Sequence, residues 1–462
     1  MVNFDLNAHH MQHIHFIGIG GISMSGIAEM LLSFGYKVSG SDLKSSKITD
    51  RLQEKGAEVI IGHHPENIKA CDLVVYTAAV KEDNPELAKA RQTGIPVIDR
   101  AEMLGLLMKK FDTSIAVAGT HGKTTTTSMI SLILEHAGFD PTILVGGELD
   151  EINGNIKIGK DQYLVTEACE YVESFLKFFP KIGIILNIDA DHLDYFKNMD
   201  HIFEAFTRFA QRIPQDGFLI ACKDDLHTEA LIKKVHCPII TYGMKEEADY
   251  QAKNIQFNSQ GFPGFEAYHK EELLGKFQLS VPGHHNISNA LAAIACCHLL
   301  GVPLKTMQEK LNRFQGTHRR FEKLGEMNGL TIVDDYAHHP TEIKATLQAS
   351  TQYPHRKIWC VFQPHTYTRT ITLLEEFAKA FKDADHVIIS DIYAAREKDT
   401  GAVHSRDLVK AIEKHQQNVT YIGSFEEIRN YLLKHAQSGD LIITMGAGDI
   451  YRVGEMLLEK QN

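Results

Sequence analysis

The chain has 462 residues, 44% of them hydrophobic and 23% charged, with a formal net charge of −11. That length suggests about three domains, and the apolar fraction is enough for full hydrophobic cores. The acidic balance argues against a nucleic-acid binder, which would carry a basic stripe, and no apolar run is long enough for membrane insertion. The polar start, Met1 to His13, lacks a signal-peptide pattern, so a cytoplasmic protein is expected. The seven cysteines are scattered without a Cys-x-x-Cys pair. They read as reduced, buried thiols and argue against a zinc site.

The first segment, residues 1–108, opens with the apolar run His13 to Ile17, then Gly18-Ile19-Gly20-Gly21. The pattern predicts a buried strand, a glycine turn and a helix from Ile22 to Phe34 stopped by Gly35. Further strands fit 37–40, 58–61, 73–76 and 96–98, with helices between them. Such alternation predicts a parallel, doubly wound sheet. Asp42 follows the second strand, so the turn is close to a dinucleotide fingerprint, although Ser23 stands where the third glycine belongs. On these residues alone a nicotinamide oxidoreductase competes with any other holder of a nucleotide diphosphate.

The second segment, residues 109–316, carries the strongest signal of the chain. Gly119-Thr120-His121-Gly122-Lys123-Thr124-Thr125-Thr126 lies between an apolar strand, 114–118, and a helical stretch ending at Gly138. Backbone N–H groups at such a helix start can wrap a polyphosphate. Lys123 would reach the terminal phosphates, and the Thr124 hydroxyl could ligate magnesium. The usual spacing asks for glycine at position 117, which is Val117, so the loop is more compact than the general pattern. Strands fit 163–166, 182–187 and 217–221, antiparallel hairpins fit 254–281, and a helix fits 286–300. Glu167 ends one strand and Asn187-Ile188-Asp189-Ala190-Asp191-His192 follows another. Two adjacent strands would carry Glu167 and His192 to the phosphate loop, with Glu167 a plausible magnesium ligand and His192 an unusual one. Asn286 and Asn289, three apart, share a helix face next to His285, although Asn286 reads equally as a cap.

The third segment, residues 317–462, alternates again, with strands at 330–335, 358–362, 386–390 and 440–445. Its loops hold Arg319-Arg320, Asp335 to Pro340, and Gln363-Pro364-His365 with Arg369. Ligands collect at the carboxyl ends of parallel strands, so these loops are candidate site elements.

Together these residues resemble the Mur ligase family over nearly the whole chain. The carriers are Gly119 to Thr126, Glu167, Asn187 with Asp191-His192, His285-Asn286 with Asn289, Arg320, and Asp335 with His338-His339. His15 to Gly21, Met24 to Ala28, Asp335 to Glu342 and His365 with Arg369 resemble the alanine-adding branch. The resemblance implies an α/β protein of three domains: a Rossmann-like N-terminal domain for a UDP-sugar, a central P-loop ATPase domain and a Rossmann-like C-terminal domain. It implies an ATP-dependent amide ligase of peptidoglycan precursor synthesis, acting on UDP-N-acetylmuramate and L-alanine with magnesium, as a monomer or homodimer. Gly18, Gly20, Gly21, Ser25, Ser41 and Asp42 would then serve the UDP-sugar. His285, Asn286 and Asn289 would contact ATP beside Gly119, Thr120, His121, Gly122, Lys123, Thr124 and Thr125, with Arg320 on its phosphates and Asp335 on its ribose. Thr124, Glu167 and His192 would hold magnesium. His338, His365 and Arg369 would place the lactyl carboxylate and the amino acid, and Lys123, His192, Arg320, His338 and Arg369 form the expected catalytic set. The modified lysine of several relatives is absent from His201 to Phe206, as in the alanine-adding branch. A ligase that attaches a preformed peptide to the same sugar nucleotide is the nearest alternative. A non-catalytic nucleotide switch is a more distant one, weakened by the lack of an Asn-Lys-x-Asp motif.

Overall fold

A computed structural model describes residues 11–459 apart from Ala78, Asp194, Glu246 and Arg396. The first ten residues of the polar start, and Asp194 just after the acidic loop, lie outside the described residues.

Three sheets succeed one another along the chain. The first is wholly parallel, in the order Glu58–Ile61, Lys37–Asp42, His13–Ile17, Leu73–Tyr76, Val97–Asp99. Strand order reverses at His13–Ile17, so the glycine turn that follows it sits at the switch point, where an open α/β sheet leaves a crevice. The helix Ile22–Ser33 begins directly after that turn.

The second sheet has ten strands. From one edge these are Glu272–Gln278, Pro263–His269, Tyr250–Phe257, Ile239–Gly243, Phe218–Cys222, Ile182–Ile185, Thr113–Ala118, Tyr163–Ala168, Thr142–Leu149 and Gly154–Lys157. Its centre is parallel, and the expected antiparallel pieces extend one edge. The phosphate-loop strand Thr113–Ala118 has Tyr163–Ala168 on one side and Ile182–Ile185 on the other. Glu167 and the Asn187–His192 loop thus flank the phosphate loop rather than lying on strands adjacent to each other. The third sheet runs Glu322–Met327, Leu330–Asp335, Leu441–Met445, Ile358–Phe362, His386–Ile389, Val419–Tyr421, parallel except for its first strand.

The cores show how these units are joined. One apolar cluster runs continuously from the first sheet (Ile14, Phe16, Leu31) to one face of the second (Leu144, Phe175, Phe206). Within this contact the helix Arg100–Met108 lies so close to the second unit that a side chain at Gly105 would begin 2.0 Å from the Lys177 carbonyl oxygen. Lys177 also forms an ion pair with Asp99. The other face of the second sheet has its own core, as do the two faces of the third. Leu193 alone among the described residues packs against both the shared cluster and a core of the third unit. The first two units are therefore welded by a shared apolar core, whereas the third meets the second mainly through polar groups, with local apolar contacts at Leu193 and between Phe262 and Tyr353.

A candidate nucleotide and acyl-transfer site

The phosphate loop is shaped by two glycines. Gly119 and Gly122 have φ of 147° and 86°, which glycine adopts without strain. A side chain at Gly122 would also begin 2.6 Å from Asn289 Oδ1. The helix Lys123–His136 starts immediately after, with its first N–H groups facing the loop. Asn187 pins the loop from the neighbouring strand end: its Oδ1 accepts from His121 N (2.8 Å) and its Nδ2 donates to His121 O (3.0 Å). Thr120 is held similarly, its Oγ1 accepting from Asp189 N at 2.9 Å.

The Lys123 amine donates to Gly119 O (2.5 Å), Thr120 O (3.1 Å) and Glu170 (2.8 Å). Burial alone would lower its pKa. The nearby Glu170 carboxylate overcomes this and raises it, so the amine is firmly charged. Glu170 lies just after Cys169, the one half-buried thiol among seven free cysteines. It also stands 3.9 Å from His192 Nε2. Sequence reading did not find Glu170. It precedes a turn in which Val172 and Glu173 take φ of 49° and 55°, and nothing local announces such a turn.

A cleft of about 680 Å³ opens beside this loop, between the second and third sheets. Gly122, Thr125, His285, Asn286, Asn289, Arg320 and Asp335 all line it. The amides are fixed by each other: Asn289 Nδ2 donates to Asn286 Oδ1, and Asn286 Nδ2 to Pro282 O. Burial, aided by Arg320, lowers His285 to about 4, so it is neutral. Asp335 is raised to about 6 by burial despite Arg320. Its oxygens accept from Phe321 N and Ala337 N, which fixes the strand end at the cleft wall. Asp224 and Asp225, which the sequence did not single out, also line the cleft.

A second cleft of about 430 Å³ adjoins the first, and Ala190 lines both. Asp191, His192, His365 and Arg369 line it. Arg369 Nη2 donates to Asp191 Oδ1 at 3.0 Å across the seam. Burial would raise the Asp191 carboxyl, but Arg369 holds it well below the usual range. His338 and His365 face each other with ring centroids 5.8 Å apart. Burial lowers both, His365 to about 4, which leaves Arg369 as the firm cation of this group. Thr366, with φ of 67°, and His192, with φ of 54°, add backbone strain at the same place.

The oxygens of Thr124 and Glu167 suit a hard cation such as magnesium. Glu167 Oε1 accepts from Gly146 N, the Thr124 methyl lies 3.3 Å from where a side chain at the adjacent Gly147 would begin, and the Glu167 charge helps to raise Lys123. His192 joins this group through Glu170.

At the first sheet, Gly20 N donates to Asp42 Oδ2 at 2.9 Å, so Asp42 braces the glycine turn. Gly21 N closes the turn onto Gly18 O. Ser25 and Ser41 do not open onto it. The Ser25 hydroxyl is buried and donates to Ile22 O, and the Ser41 hydroxyl is buried and donates to Glu86 at 2.6 Å. Ser25 is turned into the first turn of its own helix and Ser41 into the sheet interior.

Three family models match the chain: "Mur ligase family, catalytic domain" over residues 13–112, "Mur ligase middle domain" over 117–297 and "Mur ligase, glutamate ligase domain" over 319–448. A protein of Alkaliphilus metalliredigens named UDP-N-acetylmuramate–L-alanine ligase is 58% identical over 461 residues, all of both chains. One of the same name from Acetivibrio thermocellus is 57% identical, covering 98% of this chain and 97% of its own. Among solved structures, the UDP-N-acetylmuramate–alanine ligase of Thermotoga maritima superposes with a TM-score of 0.80 at 30% identity, covering 97% of this chain and 98% of its own. A murein peptide ligase of Psychrobacter arcticus gives 0.70 at 27% identity, with the same coverage.

Proposed function

Because the chain belongs to the Mur ligase family, we infer that it is an ATP-dependent ligase that joins L-alanine to the lactyl carboxylate of UDP-N-acetylmuramate in peptidoglycan precursor synthesis. One observation carries the reading: a nucleotide-sized cleft lined by Gly122, Asn286, Asn289 and Arg320 adjoins, at Ala190, a smaller cleft lined by His365 and Arg369. This is the geometry needed to activate an acid at one side and aminate it at the other.

A carboxylate is a poor electrophile. One of its oxygens attacks the γ-phosphorus of ATP, ADP leaves, and an acyl phosphate forms. The neutral amine of alanine then attacks the acyl carbon, and the tetrahedral intermediate loses a nitrogen proton and expels phosphate, leaving the amide. Lys123 and Arg320 offset charge on the transferring phosphoryl group, and the loop amides after Gly122 hold the polyphosphate. Thr124 and Glu167, with His192 beside Glu170, would hold magnesium, which supplies further charge neutralisation. Asn286 and Asn289 position the nucleotide, and Asp335 the strand end beside its ribose. His365 and Arg369 in the smaller cleft, with His338 packed against His365, orient the two carboxylates of the substrates, so much of the acceleration comes from placement.

The glycine turn Gly18–Gly21, braced by Asp42, would take the UDP diphosphate rather than a nicotinamide cofactor. Ser41 acts there by bracing the sheet through Glu86, and Ser25 by closing the first turn of the helix that follows the glycine turn. We further propose unit boundaries after residues 108 and 316 and a cytoplasmic enzyme acting as a monomer or homodimer. No described helix is long and apolar enough to cross a membrane.

Phosphate release from ATP, UDP-N-acetylmuramate and magnesium across a panel of amino acids and peptides tests the reading. We expect release with L-alanine. Release with a tripeptide and none with L-alanine would overturn it in favour of a peptide ligase.

A further inference from the structure

We propose that His121, Asp189 and His339 form a site for a divalent transition ion of the zinc class, built across the seam between the second and third units. The three side chains come from separate elements: the phosphate loop, the loop after Ile182–Ile185, and the residue capping the helix Pro340–Ser350. One ligand atom from each lies within 4.8 Å of the other two. His121 Nε2 stands 3.0 Å and His339 Nδ1 3.9 Å from Asp189 Oδ2. An ion bonded to imidazole nitrogen and carboxylate oxygen at about 2.0–2.2 Å separates its donors by roughly 3–4 Å. Small side-chain rotations would close the set around one centre.

The outer groups are in place as well. A ligating histidine ordinarily gives its second ring nitrogen to a carboxylate or carbonyl. His121 Nδ1 faces Glu342 Oε1 at 3.3 Å, and His339 Nε2 faces Ala190 O at 3.0 Å. Both rings therefore present their remaining nitrogen toward Asp189. Hydrogen bonds from His121 and Thr341 hold the Asp189 carboxyl well below its ordinary value, so it is an anion ready to ligate. In the metal-free protein a proton on His121 fills the place of the ion. The ion must also displace the 3.3 Å cap bond from Thr341 N to His339 Nδ1, while Glu342 continues to accept from His339 N at the same helix start.

Two nitrogen donors turn the site away from magnesium, which takes oxygen, and toward zinc, cobalt or nickel. The scattered cysteines that argue against a thiolate zinc site have no bearing on a His-Asp-His one. His121 and Asp189 border the 680 Å³ cleft, so an ion has a way in. Once bound, it would tie the phosphate loop to the third unit and hold the seam shut. The site is distinct from the Thr124–Glu167 oxygen pair, and it stands whether or not the substrate assignment above does.

The test is a titration of the full chain with Co²⁺, without nucleotide, following its visible d–d absorption. We expect one equivalent to give bands stronger than those of the aquo ion. One equivalent of Zn²⁺ should displace them, and excess Mg²⁺ should not. Asp189→Asn and His339→Ala, on opposite sides of the seam, should each abolish the bands, and Glu342→Gln should weaken binding about 10- to 100-fold. Glu167→Gln should leave them in place. Circular dichroism checks that each variant is folded, and the two ligand variants serve as independent trials should one fail. The proposal is overturned if the wild type shows only aquo-ion absorption, if the bands persist in a folded Asp189→Asn or His339→Ala variant, or if Glu167→Gln removes them.

Discussion

Glu86 is fully buried in the first unit, where its carboxylate collects Ser41 Oγ (2.6 Å), Asn67 Nδ2 (2.6 Å), His15 Nε2 (3.2 Å) and His64 N (3.2 Å). Burial would raise its pKa, but the hydrogen bonds of His15, Ser41 and Asn67 outweigh it and hold the carboxyl below its ordinary value. A carboxylate depressed by folding adds stability above its unfolded value, about 4.3, and loses that contribution as pH falls through the folded value. Glu86→Gln should therefore cost about 1–3 kcal/mol at pH 7 and less below pH 4, measured by urea unfolding. An equal loss at both would show that shape, not charge, matters there. At the phosphate loop, Lys123→Ala should lower kcat by about 10²–10³-fold or more while calorimetry shows UDP-N-acetylmuramate binding nearly unchanged. Loss of sugar binding would mean that the two pockets are not separate. Motifs with a local spacing were legible: His121 and Gly122 of the glycine loop line one cleft with Asn286 and Asn289, and Lys123 starts the helix beside it. Glu86 and Glu170 were not. Both are charged residues whose burial is produced by partners far away in sequence, and a charged side chain in isolation reads as surface.

Elements with uninterrupted apolar runs were equally readable, from the strand entering the first glycine turn to the strand Leu441–Met445. Five strands escaped notice for physical reasons, among them Gly154–Lys157, a four-residue edge strand that opens on a glycine. Thr142–Leu149 contains Gly146-Gly147, which reads as a turn. Glu322–Met327 is half polar because it is an edge strand, and in Ile239–Gly243 and Val419–Tyr421 a threonine breaks the apolar run. The helix Arg100–Met108 shows two principles in conflict. Alanine in place of Gly105 gains about 1 kcal/mol of helix propensity. Its methyl would, however, meet a backbone carbonyl at 2.0 Å, and no rotamer relieves that. Overpacking costs about 1–3 kcal/mol, so Gly105→Ala should lower the melting temperature. A rise would show that the first two units can part without loss.

At the scale of the whole molecule, a shared apolar core on one side and mainly polar contact on the other lead us to expect that the third unit is the one that moves. His121–Glu342, Thr341–Asp189, His339–Ala190 and Arg369–Asp191 span the seam. Arg319 and Phe321, with φ of 62° and 49°, lie where the chain crosses it. We expect ATP with UDP-N-acetylmuramate to compact the molecule in solution scattering; identical curves with and without them would count against closure. Arg369→Ala leaves a buried Asp191 carboxylate without its cation, and should expand the unliganded form and lower ligation about 10²-fold through misplacement. The cysteines, finally, turn the fold into its own reporter. Six sulfurs are buried and Cys169 alone is half-buried, one residue from the carboxylate that grips Lys123. A mild alkylating reagent should therefore reach that sulfur ahead of the other six, slowly, because burial and the neighbouring Glu170 charge raise its thiol. Its rate of reaction becomes a clock for how often the mouth of the phosphate loop is uncovered, read without any engineered label.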